Sequence, residues 1–416
     1  MDKSLRILVV TQYFWPENMR INSLVEEFVA RGHKVTVLTG VPNYPEGRVF
    51  KEYKNNSEAF SYYHGAEVIR VPMFVRGQGA LRLALNYLSF FVSATIIGLH
   101  RLRGHRFDSV FVYAVSPIMV AIPAVIIGKV KSTPVFTWVL DLWPETLKSV
   151  GVIKNRYLLG GVGRVVSWVY NRTDYLLLQS KSFTENVSKY CTKHISPARL
   201  IYFPSWAEDD FIASNEGHSD LMERDDSVFT VVFAGNLGEA QDFPAILQAV
   251  EAVKSDRPVR WVIVGDGRAA SWLSEQVIAR KLSNVILLGR HPLDKMPALF
   301  ANADALLVSL KASEVFERTV PGKVQAYLAS GKPIIAMIDG EAARVVTEAG
   351  AGMVCRSGDA LGLASVVSAM SILTPNQLKK MGLSGKQFYN ENYSKKKLFD
   401  RLEEIFRSGS LRYNSK

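Results

Sequence analysis

The sequence predicts an α/β protein made of two doubly wound domains, and three observations support this fold class. Short apolar runs of the kind that parallel sheets bury alternate along the chain with segments whose apolar residues recur at helical spacing. A polar stretch, Glu208–Asp226, interrupts this alternation, which begins again after it. The chain has 416 residues, more than a single hydrophobic core usually supports, so two domains are expected.

Composition narrows the class of protein and its partners. Hydrophobic residues make up 48% of the chain and charged residues 21%, without low-complexity tracts or repeats, which excludes disordered, fibrous and solenoid classes. Cys191 and Cys355 lie far apart, so neither a disulfide framework nor a zinc site is expected. The net charge of +11 predicts an anionic partner, such as a membrane surface or a phosphorylated ligand. No nucleic-acid-binding module is recognisable, so nucleic acid is not expected.

The first half of the chain begins with a βαβ unit. Leu5–Val10 is predicted as a strand, Ile21–Arg31 as a helix and Val35–Leu38 as a second strand. The loop Thr11–Arg20 leaves the carboxyl end of the first strand, where ligands bind in open α/β sheets. Because this loop carries aromatic residues where a dinucleotide fingerprint needs glycines, NAD or FAD binding is not expected there. A sugar ring or a lipid-linked acceptor suits it better, although simple packing against neighbouring residues explains its aromatic side chains equally well.

Two further loops are expected at the same edge of the sheet. Val41–Gly47 follows the second strand, and Asp141–Glu145 follows the predicted strand Thr133–Leu140. Carboxylates at a strand end can act as a base or bind sugar hydroxyls. A helix N-cap formed by Asp141 is the alternative, since a proline follows in the first turn.

The segment Leu81–Leu99 carries Arg82 before its apolar part and is followed by further basic residues. These are His100, Arg101, Arg103, His105 and Arg106. The uninterrupted apolar stretch is too short for a membrane span, so a helix lying at an anionic membrane surface is expected, with Phe90 and Phe91 in its apolar face. A buried core helix with a solvated basic end is the alternative. The chain starts without a recognisable signal peptide, which predicts a cytoplasmic protein on the inner face of the plasma membrane.

The second half of the chain repeats the alternation of strands and helices. Strands are predicted at Val228–Ala234, Trp261–Val264, Val285–Leu288 and Ala305–Ser309, and helices at Pro244–Val253, Ser271–Arg280 and Met296–Asn302. Turns rich in small residues end the strands, at Gly235–Gly238, Gly265–Gly267, Gly289–Pro292 and Lys311–Gly322. Backbone N–H groups in such turns can line a ligand-binding crevice. No P-loop motif occurs, so the chain is not expected to be a P-loop ATPase.

Residues Glu317–Ala336 read as a loop, a helix, a turn and a strand. The helix is predicted to begin near Gly322 and to end at Gly331. Its positive N-terminal end lies beside Arg318 and Lys323, both expected to be exposed, and this arrangement could hold a phosphate or diphosphate without a metal. An ordinary αβ unit with solvated charges is the alternative.

These features together resemble the GT-B glycosyltransferases of family 4, over nearly the whole chain. In the second domain the resemblance rests on Gly235-Asn-Leu-Gly, Val264-Gly-Asp-Gly and Pro321–Pro333. In the first domain, three motifs are more narrowly similar to the WbuB-type transferases of bacterial O-antigen and capsule loci, which are associated with N-acetyl-L-fucosamine. These motifs are Gln12-Tyr-Phe-Trp-Pro-Glu, Gly40–Gly47 and Asp141-Leu-Trp-Pro-Glu.

The resemblance implies a GT-B fold, with two Rossmann-like domains facing a central crevice. Residues 1–205 would bind the acceptor and carry the membrane-associating helix, residues 206–226 would form the linker, and residues 227–390 would bind the nucleotide-sugar. Residues 391–416 would form a helix that crosses back to the first domain. The implied reaction is a retaining, metal-independent transfer from a UDP-sugar to a polyprenyl-diphosphate-linked saccharide, without a cofactor, in which the leaving diphosphate accepts the proton of the acceptor hydroxyl.

The resemblance also implies roles for particular residues. Expected catalytic residues are Arg318, Lys323, Asp141 and Glu317; expected donor-binding residues are Gly235, Asn236, Gly265, Arg290, Val324 and Gln325; expected acceptor-binding residues are Tyr13, Pro16, Asn18, Arg20, Tyr44 and Glu145. The chain departs from the family in its Glu-x7-Glu pattern. Counted back from the glycine that ends the helix, the two glutamates fall on Arg318 and Ala326, while Glu317 and Gln325 have the same separation one position earlier. The basic residues that follow the first strand of the family's second domain fall on Asn236 and about Gln241.

Two other functions are compatible with this fold and composition. A UDP-sugar 2-epimerase would use the same architecture with acid and base residues in the crevice, but would need no lipid acceptor. A non-catalytic membrane scaffold would need neither the glycine-rich turns nor the basic helix start.

Overall fold

The computed structural model describes residues 4–77, 79–149, 151–153, 155–191, 196–211 and 219–414. The chain divides into two compact units. The N-terminal unit comprises Met1–Phe203 and Phe399–Lys416, and the C-terminal unit comprises Pro204–Leu398.

The N-terminal unit is built on an eight-stranded sheet. Its strands are β1 (Arg6–Val10), β2 (Lys34–Gly40), β3 (Tyr62–Tyr63), β4 (Ala66–Val71), β5 (Ser109–Ala114), β6 (Val135–Val139), β7 (Tyr175–Leu178) and β8 (Leu200–Tyr202). The spatial order is β3-β4-β2-β1-β5-β6-β7-β8, and all neighbours are parallel except β3 and β4. The strand order reverses between β1 and β5, so the loops after these strands lie at the topological switch point.

Helices connect these strands and cover the sheet. They are α1 (Arg20–Ala30), α2 (Lys51–Asn55), α3 (Ala80–Arg101), α4 (Ala121–Lys131), α5 (Glu145–Ser149), α6 (Arg156–Arg172) and α7 (Phe183–Lys189). The central strands are buried over nearly their full length, which explains why they appear in the sequence as continuous apolar runs.

The C-terminal unit has a six-stranded, wholly parallel sheet. Its strands are β9 (Phe229–Ala234), β10 (Val259–Val264), β11 (Val285–Gly289), β12 (Ala305–Ser309), β13 (Ile334–Met337) and β14 (Gly352–Cys355), in the order β11-β10-β9-β12-β13-β14. Its helices are α8 (Phe243–Ala252), α9 (Ala270–Ala279), α10 (Met296–Ala301), α11 (Glu314–Arg318), α12 (Gly322–Ser330), α13 (Gly340–Glu348), α14 (Ala360–Ser371) and α15 (Pro375–Asn392). Hydrophobic clusters lie on both faces of the sheet. The predicted class of two doubly wound domains is confirmed.

The last helix, α16 (Lys395–Asn414), belongs from Phe399 onward to the N-terminal unit. Phe406 packs edge-on against Phe136, with ring centroids 5.0 Å apart. Arg31 forms an ion pair with Asp400 at 2.7 Å. A Cβ at Gly409 would come 2.5 Å from the ring of Phe136, so the helix lies directly on that ring.

The segment predicted as a linker, residues 206–226, is not a linker where the structure describes it. Trp206 is 1% exposed, and the Phe211 ring stacks on Phe300 at 5.5 Å within the C-terminal unit. These apolar side chains are core residues, although polar residues surround them in the sequence. Residues 212–218 of the predicted linker lie outside the described residues.

Helix α3 has two apolar faces. One face packs into the N-terminal core through Asn86, Phe90 and Ala94, each no more than 1% exposed. The opposite face is exposed and carries Leu81, Leu85, Leu88, Val92 and Ile96. By length and composition, Leu81–Arg101 could cross a membrane, with a mean hydropathy of 1.5 and 28% of the window buried. The expectation that Phe90 belongs to a membrane-facing surface is wrong, because Phe90 is a core residue.

Candidate active site

The carboxyl edge of the C-terminal sheet is built from the N-terminus of α12 and two glycine turns. Helix α12 begins at Gly322 after Pro321, where no side chain caps it, and ends at Gly331 in the left-handed region with φ 71°. The predicted helix bounds are therefore confirmed. The preceding loop differs from the prediction, since Glu314–Arg318 forms the short helix α11. An uncapped helix N-terminus leaves backbone N–H groups and a positive dipole end for an anion.

Lys323 lies in the first turn of α12, with its ammonium enclosed by protein. Its Nζ is 3.6 Å from the centroid of the Phe233 ring. The same atom is inaccessible to solvent and has no hydrogen-bond partner among the described residues. Burial lowers the pKa of Lys323 to about 7. The expectation that Lys323 is an exposed cation is therefore wrong, and the lysine is a buried amine without a counter-charge.

Glycines allow the first two turns of this edge to pack on each other and on Lys323. A Cβ at Gly235 would lie 2.5 Å from Cε of Lys323. A Cβ at Gly265 would overlap the carbonyl of Gly235, and both glycines have strongly positive φ angles, 134° at Gly235 and 141° at Gly265. The structure therefore brings together three of the predicted site residues, Gly235, Gly265 and Lys323. The sequence did not indicate Tyr327, whose hydroxyl accepts a hydrogen bond from the Ala234 N–H at 3.1 Å and holds α12 against β9.

The other predicted donor-side residues are more dispersed. Val324 is fully buried in the core, so its side chain does not face the sheet edge, contrary to expectation. Gln325 is also fully buried, and its amide atoms have no partner among the described residues. Asn236 and Arg290 are exposed in their strand-end turns. Among the predicted catalytic residues, Glu317 is exposed and Arg318 is half-buried on α11.

At the carboxyl edge of the N-terminal sheet, Glu17 joins the two loops that were predicted to lie together. One of its carboxylate oxygens accepts hydrogen bonds from the N–H groups of Asn43, at 2.8 Å, and Tyr44, at 2.7 Å. The other accepts from the N–H of Phe14 at 2.9 Å. Burial raises the pKa of Glu17 to about 7, and these hydrogen bonds oppose the rise. Glu17 was not among the predicted site residues.

Asp141 lies at the end of β6. Burial raises the pKa of Asp141 to about 6, and a hydrogen bond from Ser116 opposes this rise. Ser116 is itself fixed, because the indole of Trp143 donates to its hydroxyl at 2.9 Å. A small cavity beside these groups is lined by Tyr13, Ser116 and residues of the β1 and β5 strand ends. Asp141 is thus a half-buried carboxylate with a pKa near the physiological range, and its hydrogen-bond partner Ser116 lines this small cavity.

Glu145, expected to contact the acceptor, is engaged inside its own domain. Its Oε1 accepts a hydrogen bond from the Tyr190 hydroxyl at 2.7 Å. Its Oε2 is inaccessible to solvent. Glu145 therefore anchors α5 rather than facing the opening. Among the other predicted acceptor residues, Asn18 is exposed in the loop after β1, Pro16 is half-buried in the same loop, and Arg20 is half-buried at the start of α1.

Tyr13 and Tyr44 lie in contact, with ring centroids 5.1 Å apart. The Tyr13 hydroxyl donates to Oδ1 of Asn86 on α3 at 3.1 Å. The guanidinium of Arg76 lies over the Tyr44 ring, 5.3 Å from its centroid. Sequence reasoning missed Arg76 because it lies in the segment between β4 and α3, which carries no motif.

Comparison with known proteins identifies the activity. Residues 228–371, about the length of the C-terminal sheet and its helices, match a family model described as glycosyl transferases group 1. The chain is 26% identical over 277 residues to the probable glycosyltransferase WbjE of Pseudomonas aeruginosa, covering 62% of this chain and 65% of WbjE. It is 24% identical over 343 residues to WcaI of Escherichia coli K12, a putative colanic acid biosynthesis glycosyl transferase, covering 79% of this chain and 82% of WcaI. The chain is a glycosyltransferase.

Solved structures establish the fold of this glycosyltransferase. HepE of Anabaena, solved in complex with UDP and glucose, superposes with a TM-score of 0.68 at 15% identity, covering 97% of this chain and 100% of HepE. The likeness shows a GT-B fold, as the sequence predicted. Among the residues described, no group of three or more histidine, cysteine, aspartate or glutamate side chains could hold a metal ion. On its C-terminal sheet edge, the glycosyltransferase has a buried amine at a helix N-terminus. On its N-terminal sheet edge, it has a half-buried carboxylate whose partner Ser116 lines a small cavity.

Proposed function

We propose that this glycosyltransferase moves a sugar from a UDP-sugar to a polyprenyl-diphosphate-linked saccharide, with retention of configuration, during bacterial O-antigen or capsule synthesis. The observation that carries the proposal is the buried ammonium of Lys323 at the uncapped N-terminus of α12, which has no partner in the described part of the chain. A buried cation without a counter-charge is costly, so an anionic ligand at this point stabilises it. A nucleotide diphosphate supplies that charge.

The names of the compared proteins agree with this substrate class. WcaI is named for colanic acid biosynthesis, and HepE was solved with UDP and glucose. The resemblance to WbuB-type transferases makes N-acetyl-L-fucosamine the first donor sugar to test, through the three N-terminal motifs that carry it.

We propose the following role for each of these groups in the reaction. As the bond between the anomeric carbon and the diphosphate breaks, negative charge develops on the leaving oxygen. The α12 N-terminus and Lys323 stabilise this charge electrostatically, which is usually the largest catalytic contribution. In a retaining transfer the departing diphosphate accepts the acceptor proton. Asp141 then orients the acceptor hydroxyl by accepting its hydrogen bond, rather than removing its proton.

We also propose that the exposed face of α3 rests on the cytoplasmic surface of the plasma membrane. The core-packed face of α3 is held by the N-terminal domain, so this helix does not cross a bilayer on its own. The opposite apolar face is exposed, and exposed cations flank it at Arg82, Arg101 and Arg103. An exposed apolar face with arginines at both ends fits the boundary between acyl chains and anionic headgroups.

A transfer assay tests the reaction. The protein is incubated with a panel of UDP-sugars, with and without polyprenyl-diphosphate saccharides, and UDP release and product linkage are measured. The proposal predicts UDP release that depends on the lipid acceptor and a product with the donor's anomeric configuration. Conversion of the UDP-sugar at its second carbon without acceptor would show a 2-epimerase, and no turnover with any pair would favour a scaffold. Activity that EDTA abolishes and Mg²⁺ restores would contradict the metal-independent mechanism.

Vesicle binding tests the membrane surface. The double variant Leu88→Ser, Val92→Ser changes only exposed positions, so it is expected to fold and to sediment less with anionic vesicles. The matched variant Leu361→Ser changes another exposed apolar residue, 71% exposed on α14, and should bind vesicles as the wild type does. Equal sedimentation of all three proteins would contradict the membrane assignment.

A further inference from the structure

Arg76, a half-buried cation at the N-terminal sheet edge, has no carboxylate partner among the residues that the structure describes. Arg76 lies in the segment that connects β4 to α3. Its backbone N–H donates to Oδ1 of Asn43 at 2.8 Å, and its carbonyl lies so close to Gly47 that a Cβ there would overlap it. The backbone of Arg76 is thus fixed against the loop after β2.

The Arg76 side chain is held by tyrosines. Its guanidinium lies over the Tyr44 ring and interacts electrostatically with the hydroxyls of Tyr13 and Tyr87. No carboxylate lies within ion-pair distance of it in the described part of the chain. Burial raises the pKa of the Tyr13 and Tyr87 hydroxyls, so both are neutral at physiological pH and leave the charge of Arg76 unbalanced.

The surroundings of Arg76 indicate which anion would balance it. On one side, Phe74 and Val75 of the same segment are 65% and 40% exposed, and they lead to the exposed apolar face of α3 that begins at Leu81. On the other side, Tyr87 lies near Asp141, and its ring is 6.4 Å from the Trp143 ring. Arg76 therefore stands between an apolar surface and the carboxylate that faces the acceptor hydroxyl.

We propose that Arg76 binds a phosphate group of the lipid-diphosphate acceptor. The lipid chain then lies along Phe74, Val75 and the exposed face of α3, and the saccharide reaches Asp141. A planar guanidinium, with donors left after its two tyrosine contacts, suits bidentate binding of a phosphate. This inference rests on the proposed acceptor class and assigns its phosphate a binding residue.

The test compares Arg76→Gln and Arg76→Lys with Arg164→Gln, which removes an exposed arginine on α6 of the same domain. Two acceptors are used, the lipid-diphosphate saccharide and the same saccharide as a short alkyl glycoside without phosphate. Loss of the charge-assisted contact is expected to raise KM for the diphosphate acceptor roughly 10- to 100-fold in Arg76→Gln, with a smaller rise in Arg76→Lys. In the Arg76 variants, we expect wild-type values of KM for the UDP-sugar and of turnover of the alkyl glycoside. In Arg164→Gln, we expect wild-type values of every kinetic constant. Equal losses on both acceptors would overturn the inference, since they would show that Arg76 only supports the fold.

A binding measurement separates this inference from the proposed reaction. Farnesyl diphosphate, farnesol and inorganic diphosphate are titrated into the wild type and Arg76→Gln. The wild type is expected to prefer farnesyl diphosphate to farnesol, and Arg76→Gln to lose that preference. Tighter binding of inorganic diphosphate than of farnesyl diphosphate would overturn the lipid assignment. If the wild type transfers sugar to no lipid acceptor, the proposed function fails, while the farnesyl diphosphate result still decides the role of Arg76.

Discussion

Replacing Lys323 with methionine should make the donor-free protein more stable and should weaken the binding of the donor. The pKa of Lys323 falls from 10.5 to about 7, because the ammonium is buried without a partner. At about 1.4 kcal/mol per pH unit, this shift corresponds to a destabilisation of about 5 kcal/mol near pH 7. Methionine fills similar space without a charge, but it loses the contact between the ammonium and the Phe233 ring. The free energy of unfolding of Lys323→Met is therefore expected to exceed that of the wild type by about 2 to 3 kcal/mol.

The stability that Lys323→Met gains over the wild type should decrease as the pH rises above 7. Below the folded pKa of about 7, lysine is charged in both the folded and unfolded protein, and the full cost is present. As pH rises from 7 to 10.5, the folded protein already holds neutral lysine, so the cost shrinks and then vanishes. The difference in thermal midpoint between Lys323→Met and the wild type should thus be largest at pH 7 and small at pH 10.

The same variant should lose donor affinity. Without the ammonium, UDP loses a charge-assisted contact, which predicts roughly 10- to 100-fold weaker binding by calorimetry at pH 7. Lys332→Met is the matched control, because Lys332 is a half-buried lysine that donates to the carbonyls of Ala301, at 2.6 Å, and Ala303, at 2.9 Å. Burial also lowers the pKa of Lys332, to about 8, so this variant is a control for UDP affinity and not for stability, and it should bind UDP normally. An unchanged midpoint together with unchanged UDP affinity in Lys323→Met would refute the reasoning.

Three further predictions concern the two sheet edges. Gly265→Ala should reduce the thermal midpoint and abolish UDP binding, because its Cβ would overlap the Gly235 carbonyl at a φ of 141°; normal binding would show that the turns can separate. Glu17→Gln places an amide group against a backbone N–H, so faster hydrogen exchange at Asn43 and Tyr44 and a destabilisation of about 1 to 3 kcal/mol are expected. Unchanged exchange would show that Glu17 does not hold the loops. In the wild type, kcat/KM should fall as pH drops below about 6, where Asp141 becomes protonated, and Asp141→Asn should lack this acid limb; an identical pH profile would exclude Asp141 from the site.

The sequence by itself determined the strands and helices that were predicted in each domain and the start of α12, though not α11, because these elements depend on local periodicity and on single residues. Apolar runs marked the buried parallel strands, and the bounds of α12 followed from Pro321 and Gly331. The glycine turns at Gly235 and Gly265 were also visible, since a close backbone approach requires glycine.

The tertiary structure decided which face of each element is buried and which distant residues meet. Phe90 and Leu88 look alike in the sequence, but packing on the N-terminal sheet buries Phe90 and leaves Leu88 exposed. The burial of the Lys323 ammonium depends on Phe233, which lies on a strand ninety residues earlier in the chain. Arg76 meets Tyr13 only because the segment before α3 folds back onto the loop after β1. Long-range packing sets these contacts, and a one-dimensional pattern does not record it.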